Sequence, residues 1–264
     1  MVAKTPKDGF LPLRVSTVDN LISSGGVERG NTLLLSGGCG SGKTIFLMQS
    51  LYNAALNGEK VAYFSLEEDT QKIKRHMLKN FGWDIEALEK KGVFYTHHVS
   101  AMRMARDIEL TLDEFNQSEK NYIENILDKH PEISLIDAKG VSLPFHPDRI
   151  AVDSLSALSN SFMNKEKYRL CIQVLVESLN AHQSLNILVS ETEQDPKSYG
   201  RVGVEEFLVD GVIVLYNLRK GQLRRRAIEI LKLRCSEHVQ EVVPYRITQA
   251  GIELMPSDSK LIDV

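Results

Sequence analysis

An α/β fold with a mainly parallel central sheet flanked by helices is predicted by three features of this 264-residue chain. Apolar, strand-like runs alternate with helix-length amphipathic segments from Asn31 onward, the pattern of a parallel sheet covered by helices. A glycine-rich loop joins the first such strand to the first helix. The composition, 42% hydrophobic and 25% charged, is that of an ordinary globular chain. With no internal repeat and no low-complexity tract, one domain over 14–256 is the simpler reading, with tails over 1–13 and 257–264.

The elements follow in order. Asn31 to Ser36 is a short apolar run that reads as a buried strand. Ile45 to Asn57 carries Phe46, Leu47, Leu51 and Ala54 or Ala55 at helical spacing and stops at Gly58. Lys60 to Leu66 is the next strand, followed by a helix from Asp69 or Thr70 to Gly82 and a short helix over Trp83 to Lys91. Gly92 to His98 and Arg149 to Val152 read as strands, with a helix over Asp113 to Lys129 between them, ended by Pro131. Asn164 to Gln183 is amphipathic, with Tyr168, Cys171, Ile172, Leu175 and Leu179 on one face. Asn186 to Ser190 and Gly211 to Tyr216 are further strands, and Val212 to Leu218 with Ala227 to Arg234 flank Arg219–Gln222 as an antiparallel hairpin. Ser100 to Leu112 has a mixed pattern, and Asp137 to Pro147 reads as an irregular connection.

Composition excludes several classes. A net charge of −3 gives no global attraction to nucleic acid or to an anionic membrane. No apolar run approaches the length of a membrane span, and the N-terminus lacks the apolar core of a secretory signal, so a cytoplasmic location without membrane insertion is expected. Cys39, Cys171 and Cys235 are far apart and show no metal-ligand spacing, so reduced thiols are the default. His97 and His98 lack a cysteine or carboxylate at ligand spacing and read as ordinary residues.

The run Gly37 to Thr44, GGCGSGKT, fits the phosphate-binding loop pattern G-x-x-x-x-G-K-[ST]. A triphosphate needs several backbone N–H groups at close range, and the glycines permit that approach. Gly38, Cys39, Gly40, Ser41, Gly42, Lys43, Thr44 and Ile45 are therefore the candidate nucleotide-binding residues. Lys43 brings an ammonium to the β- and γ-phosphates, and the Thr44 hydroxyl can ligate Mg²⁺. A helix beginning at Lys43 aims its positive end at the same anion. Cys39 stands inside the loop, where aligned N–H groups could activate its thiol; the simpler reading is a small residue in a spacer position.

Hydrolysis needs further groups. Mg²⁺ is held in part by an acid at a strand end, and two apolar runs end in one, at Asp153 and at Asp137. Spacing alone does not choose between them. Glu67 and Glu68 end the strand through Leu66, where an acidic pair could position and deprotonate water; equally, they could be a solvated helix start.

At this level the chain resembles the KaiC-like ATPases of the RecA/RadA superfamily, in particular single-domain archaeal KaiC-like proteins. The resemblance runs from Arg14 to Met255 and rests on STVDNLISSGGVERGNTLLLSGGCGSGKT, YFSLEED, FGWD, RIAVDSLSAL, YGRVGVEEFLVDGVIVL and RRRAIEILKLRCSEH. It implies a RecA-like phosphate-loop fold, ATP with Mg²⁺, Asp153 rather than Asp137 as the metal-holding acid, and Glu67 with Glu68 as the water-activating pair. It places Ser190 and Glu191 at the strand end that senses the γ-phosphate. Such proteins assemble as a homo-hexamer or other ring with ATP between subunits, and Lys232 and Arg234 would then reach the neighbour's phosphates. Strand periodicity puts Ile228, Ile230, Lys232 and Arg234 on one face.

The departures limit what is carried over. The clock proteins of the family hold two such domains in tandem, whereas one is read here, so clock function and autophosphorylation are not inherited. Cys235 stands where the pattern commonly has Gly, and Glu237 where it has Ser. Few residues precede the core, so strand exchange is not carried over. The cluster Arg219, Lys220, Arg224, Arg225 and Arg226 could touch nucleic acid, but a solvated hairpin tip or subunit contact is favoured. The expectation is a Mg²⁺-dependent ATPase with a regulatory or signalling role and an unknown protein partner. The alternatives are an ATP-sensing scaffold with little hydrolysis and a DNA-repair ATPase.

Overall fold

Among the described residues a nine-stranded sheet organises the chain. The computed structural model describes residues 5–106, 143–162, 164–192 and 199–255. The helix expected over 113–129 and the alternative acid Asp137 lie outside the described residues. The parallel part comprises β3 (Thr32–Gly37), β4 (Val61–Ser65), β5 (Phe94–His98), β6 (Arg149–Asp153), β7 (Leu185–Glu191) and β8 (Gly211–Lys220). Strands β9 (Leu223–Leu233), β10 (Val243–Thr248) and β11 (Gly251–Leu254) extend it antiparallel from β8. The expected hairpin therefore opens a three-strand antiparallel extension from β8, and the sheet order is β11-β10-β9-β8-β3-β7-β6-β4-β5. Two short strands, β1 (Phe10–Leu11) and β2 (Val27–Glu28), form a separate ribbon.

Side chains of a strand alternate between sheet faces, and the core divides accordingly. Leu33 and Leu35 of β3 pack with Phe46, Leu47 and Leu51 of α1 (Lys43–Leu56), while Leu34 packs on the other side with Tyr168, Ile172 and Leu175 of α5 (Lys165–Asn180). Helices α2 (Thr70–Phe81) and α3 (Ile85–Lys90) join the α1 side through Ile73, Met77, Ile85 and Leu88. The short helices α4 (Leu155–Ser159) and α6 (Glu205–Leu208) follow β6 and precede β8.

Local chemistry sets the helix ends. The Asp69 carboxylate accepts from Gln71 N to start α2, which stops at Gly82 in the left-handed region. Asp84 caps α3, so this helix begins two residues later than the run from Trp83 predicts. Asn164 caps α5 by accepting from Glu166 N and Lys167 N. Residues 101–106 are helical, which gives the mixed segment after Ser100 its first structure.

Two features position the strands around the candidate site. Arg149, fully buried at the start of β6, bonds Glu59 at 2.6 Å, and Glu59 also holds Arg14 at 2.7 Å. In β9, a register shift sets Ile230 opposite Ile213 but Lys232 opposite Val212. Leu231 is the extra residue of this bulge, so parity reverses there. Lys232 and Arg234 thus leave the face carrying Ile228 and Ile230, a correction to the uniform two-residue period.

Candidate nucleotide site

Parallel strands bring their carboxyl ends to one edge of the sheet, and the loops that follow line the crevice there. The phosphate loop follows β3, Asp153 ends β6, Glu191 ends β7, and Glu67 and Glu68 follow β4. Register aligns them, because Gly37 pairs with Glu191 and Ser65 with Asp153. Lys43, Thr44, Glu67, Asp153 and Glu191 thereby line one cavity of about 300 Å³, with Cys39, Gly40, Gly42, Ile45 and Glu68 around them.

The loop holds its shape through glycine conformations. Gly40 and Gly42 have φ of 72° and 93°, and a Cβ on Gly42 would come within 2.9 Å of Ile247 Cδ1. The Lys43 ammonium donates to the carbonyls of Gly37 at 2.8 Å and Gly38 at 3.2 Å, and lies 3.7 Å from Glu191 Oε1. Thr44 Oγ1 donates to Asp153 Oδ2 at 3.0 Å, and the Tyr63 hydroxyl donates to the same oxygen at 3.3 Å. Burial pushes the Asp153 carboxyl up to about 6 against the opposing pull of Thr44 and Lys43. Burial and the neighbouring Asp153 charge push the Tyr63 phenol well above its ordinary value, which keeps it a donor.

The two glutamates differ. Glu67 Oε2 accepts from Ser154 Oγ at 3.1 Å, which ties it to the residue following Asp153. Glu68 is fixed by its backbone, whose N–H donates to Ser65 Oγ at 3.0 Å, while its side chain pairs with Lys72 at 3.4 Å on the helix surface. The candidate γ-phosphate sensors divide as well. Glu191 lines the cavity and its N–H donates to Ser156 Oγ at 2.8 Å, whereas Ser190 is fully buried and its hydroxyl accepts from Arg201 N at 3.1 Å. Alternation along β7 is the reason.

Three residues of the antiparallel strands touch the loop, and the sequence carries no local signal for them. Asn217 Nδ2 donates to Cys39 O at 3.1 Å, Arg226 Nε donates to Gly40 O at 3.1 Å, and the Tyr245 hydroxyl donates to Ser41 O. Tyr63, by contrast, had a signal. It stands two residues before Ser65 on one strand and so shares its face.

Lys232 and Arg234 sit at the other end of β9. Lys232 pairs with Val212, which pairs with Leu34, three residues below Gly37 and therefore about 10 Å down the sheet. The Lys232 ammonium donates to Val209 O at 2.7 Å, and burial with the nearby Arg234 charge lowers its pKa. Arg234 bonds Asp210 at 2.9 Å and is 61% exposed. Neither joins the cavity of its own chain.

The donor set suits a nucleotide with a hard cation. Ser41 Oγ and Asn217 Oδ1 are buried without a hydrogen-bond partner beside the loop. Among the described residues no cluster of three or more His, Cys, Asp or Glu could hold a metal unaided. A hydroxyl and one carboxylate, completed by substrate phosphates, is how Mg²⁺ is commonly bound.

A family model described as "ATPase: KaiC" matches residues 11–259. The chain belongs to the KaiC ATPase family. It is 33% identical over 236 residues to the circadian clock oscillator protein KaiC of Acaryochloris marina, covering 89% of this chain and 42% of that protein. It is 28% identical over 241 residues to the corresponding protein of Synechococcus elongatus, again covering 89% and 42%. This KaiC-family chain thus spans less than half the length of these curated relatives. The crystal structure of a KaiC-like protein from the hyperthermophilic archaeon Pyrococcus horikoshii OT3 superposes with a TM-score of 0.72 at 27% identity, covering 94% of this chain and 99% of that one. The shared architecture is the RecA-like fold, a mainly parallel sheet flanked by helices with antiparallel strands at its C-terminal side. No helix among the described residues is long and apolar enough to cross a membrane.

Proposed function

We propose that this KaiC-family chain binds Mg²⁺·ATP and hydrolyses it to ADP and phosphate, in a homo-hexamer or other ring whose sites lie between subunits. The observation that carries this reading is the convergence of Lys43, the Thr44–Asp153 pair and the Ser154-held Glu67 on one cavity. In this reading residues 14–256 form one ATPase domain between short tails, the location is cytoplasmic, and the role is regulatory or signalling through a protein partner.

Each group has a chemical task. The loop amides and Lys43 bind the phosphates, and Lys43 exchanges its bonds to the Gly37 and Gly38 carbonyls for phosphate oxygens. Thr44 and Asp153 would hold Mg²⁺, which when bound would neutralise charge on the triphosphate. Glu67 orients the attacking water and accepts its proton, with Ser154 fixing its carboxylate. Glu191, beside Lys43, senses the γ-phosphate, and Ser190 supports that strand end from beneath. Lys232 and Arg234 lie too far from their own cavity to act there, which favours action on the neighbour's ATP in the manner of an arginine finger. Their bonds to Val209 and Asp210 hold them in the isolated chain, so slow turnover is expected of the monomer.

The test is phosphate release from Mg²⁺·ATP over a range of protein concentrations, beside the Glu67→Gln/Glu68→Gln double variant. Specific activity that rises with concentration and disappears in the variant supports the reading. Tight ATP binding without release at any concentration contradicts it and points to a nucleotide-sensing scaffold.

A further inference from the structure

The Tyr63 ring is buried in the α1-side core, and a phenylalanine would fill that space equally well. What the phenol adds is a hydroxyl, and burying a hydroxyl costs free energy unless it is bonded. Its bond falls on Asp153 Oδ2, the oxygen that also accepts from Thr44. The geometry follows from the sheet. Ser65 is paired across from Asp153, so Tyr63, two residues earlier on β4, lies diagonal to the acid on the same face.

An aspartate plane turns through a broad range about its last torsion. Two donors from separate elements, α1 and β4, meeting on one oxygen restrict that turn. They do not serve alike. Thr44 is also a candidate metal ligand, so its hydroxyl has two partners to satisfy. Tyr63 is not among the candidate metal ligands. Its ring is fixed by core packing on the strand beside Asp153.

We propose that Tyr63 is a positioning residue for magnesium: its hydroxyl anchors Asp153 Oδ2 and holds the carboxylate ready for the cation. The inference rests on the reading of the cavity as a Mg²⁺·ATP site. Partners of this kind typically alter metal affinity by 10–100-fold when removed. Tyr63 lies on β4, outside the loop whose amides are read as the phosphate ligands, so its loss should leave metal-free nucleotide binding alone.

The experiment is binding of a fluorescent N-methylanthraniloyl-ATP to the full chain, titrated with Mg²⁺ from an EDTA-treated start, for wild type and Tyr63→Phe. The expected result is a rise of about 10-fold in the Mg²⁺ concentration at half-saturation, with unchanged affinity in EDTA. An unchanged Mg²⁺ midpoint overturns the proposal. An equal loss of affinity with and without Mg²⁺ also overturns it, because packing alone then explains the tyrosine. Wild-type protein that binds no nucleotide removes the reading of the site and the inference with it. Should Tyr63→Phe fold poorly, 3-fluorotyrosine at position 63 replaces it. Its ¹⁹F signal should move when Mg²⁺ is added to the ATP-loaded chain, and a signal unmoved by Mg²⁺ counts against the anchor.

Discussion

Thr44 and Asp153, 109 positions apart, are joined by a 3.0 Å hydrogen bond between the first turn of helix α1 and the end of strand β6. The bond couples the phosphate loop to the acid at the end of β6 and also has a thermodynamic consequence. The Asp153 carboxyl, raised by burial to about 6 from an ordinary 3.8, is harder to ionise in the folded chain than in the unfolded one. Stability from the protonated form is complete below the ordinary value and is lost as pH rises through the folded one. Asp153→Asn removes that loss, since one amide oxygen can accept from both Thr44 and Tyr63. Without nucleotide or metal, the variant should match wild type near pH 4 and exceed it by up to about 2–3 kcal/mol above pH 6, by denaturant unfolding. Its ATP hydrolysis should be lost.

Glu67 and Glu68 should separate in kinetics. Glu67 is held toward Asp153 by Ser154, and Glu68 pairs outward with Lys72. Glu67→Gln is expected to lower kcat by about 10²–10⁴, the range for a lost general base, and Glu68→Gln by less than about 10. Single-turnover phosphate release measures both, and equal losses would show that the pair acts as a unit.

Cys235 carries a backbone signature. Its φ is 63°, in the left-handed region that a side chain tolerates poorly, at a position where the family pattern commonly has Gly. Cys235→Gly should raise stability by about 0.5–1 kcal/mol by relieving that conformation, less the gain in unfolded-chain freedom. A thermal melt compared with Cys235→Ala, which keeps the Cβ, checks it.

Arg149 supplies the opposite case. It is fully buried, and Glu59 neutralises it through two bonds, of 2.6 and 3.1 Å. Glu59→Ala strips the buried guanidinium, at the root of the strand that carries Asp153, of both these bonds. A loss of about 3–5 kcal/mol is expected, read from urea unfolding.

Much of this architecture was legible because its signals are local. The loop from Gly37 to Thr44, the strand leading to Glu67, Asp153 at the end of the run from Arg149, and the helix starts near Asp69 and Asn164 are each written within a few residues. The site's supporting shell was less legible. Asn217, Arg226 and Tyr245 reach the loop only because β8, β9 and β10 are laid beside it, and sheet order is not a local property. The bulge at Leu231 was hidden for a related reason. A two-residue period describes a regular strand, and the extra residue appears only against the partner strand's register. Ser190 shows the converse, a motif neighbour of Glu191 that alternation turns away from the cavity.

The most direct test of the account mixes two silent proteins. Lys43→Ala removes the proposed phosphate ligand and keeps Arg234; Arg234→Ala keeps the phosphate loop and removes the proposed trans cation. Each alone should release little phosphate from Mg²⁺·ATP. In an equal mixture with random assembly, about a quarter of head-to-tail interfaces pair an intact loop with an intact Arg234, so activity should return toward that fraction of wild type. A mixture as silent as its parts, or an Arg234→Ala protein with wild-type turnover, would contradict a site completed by the neighbouring subunit.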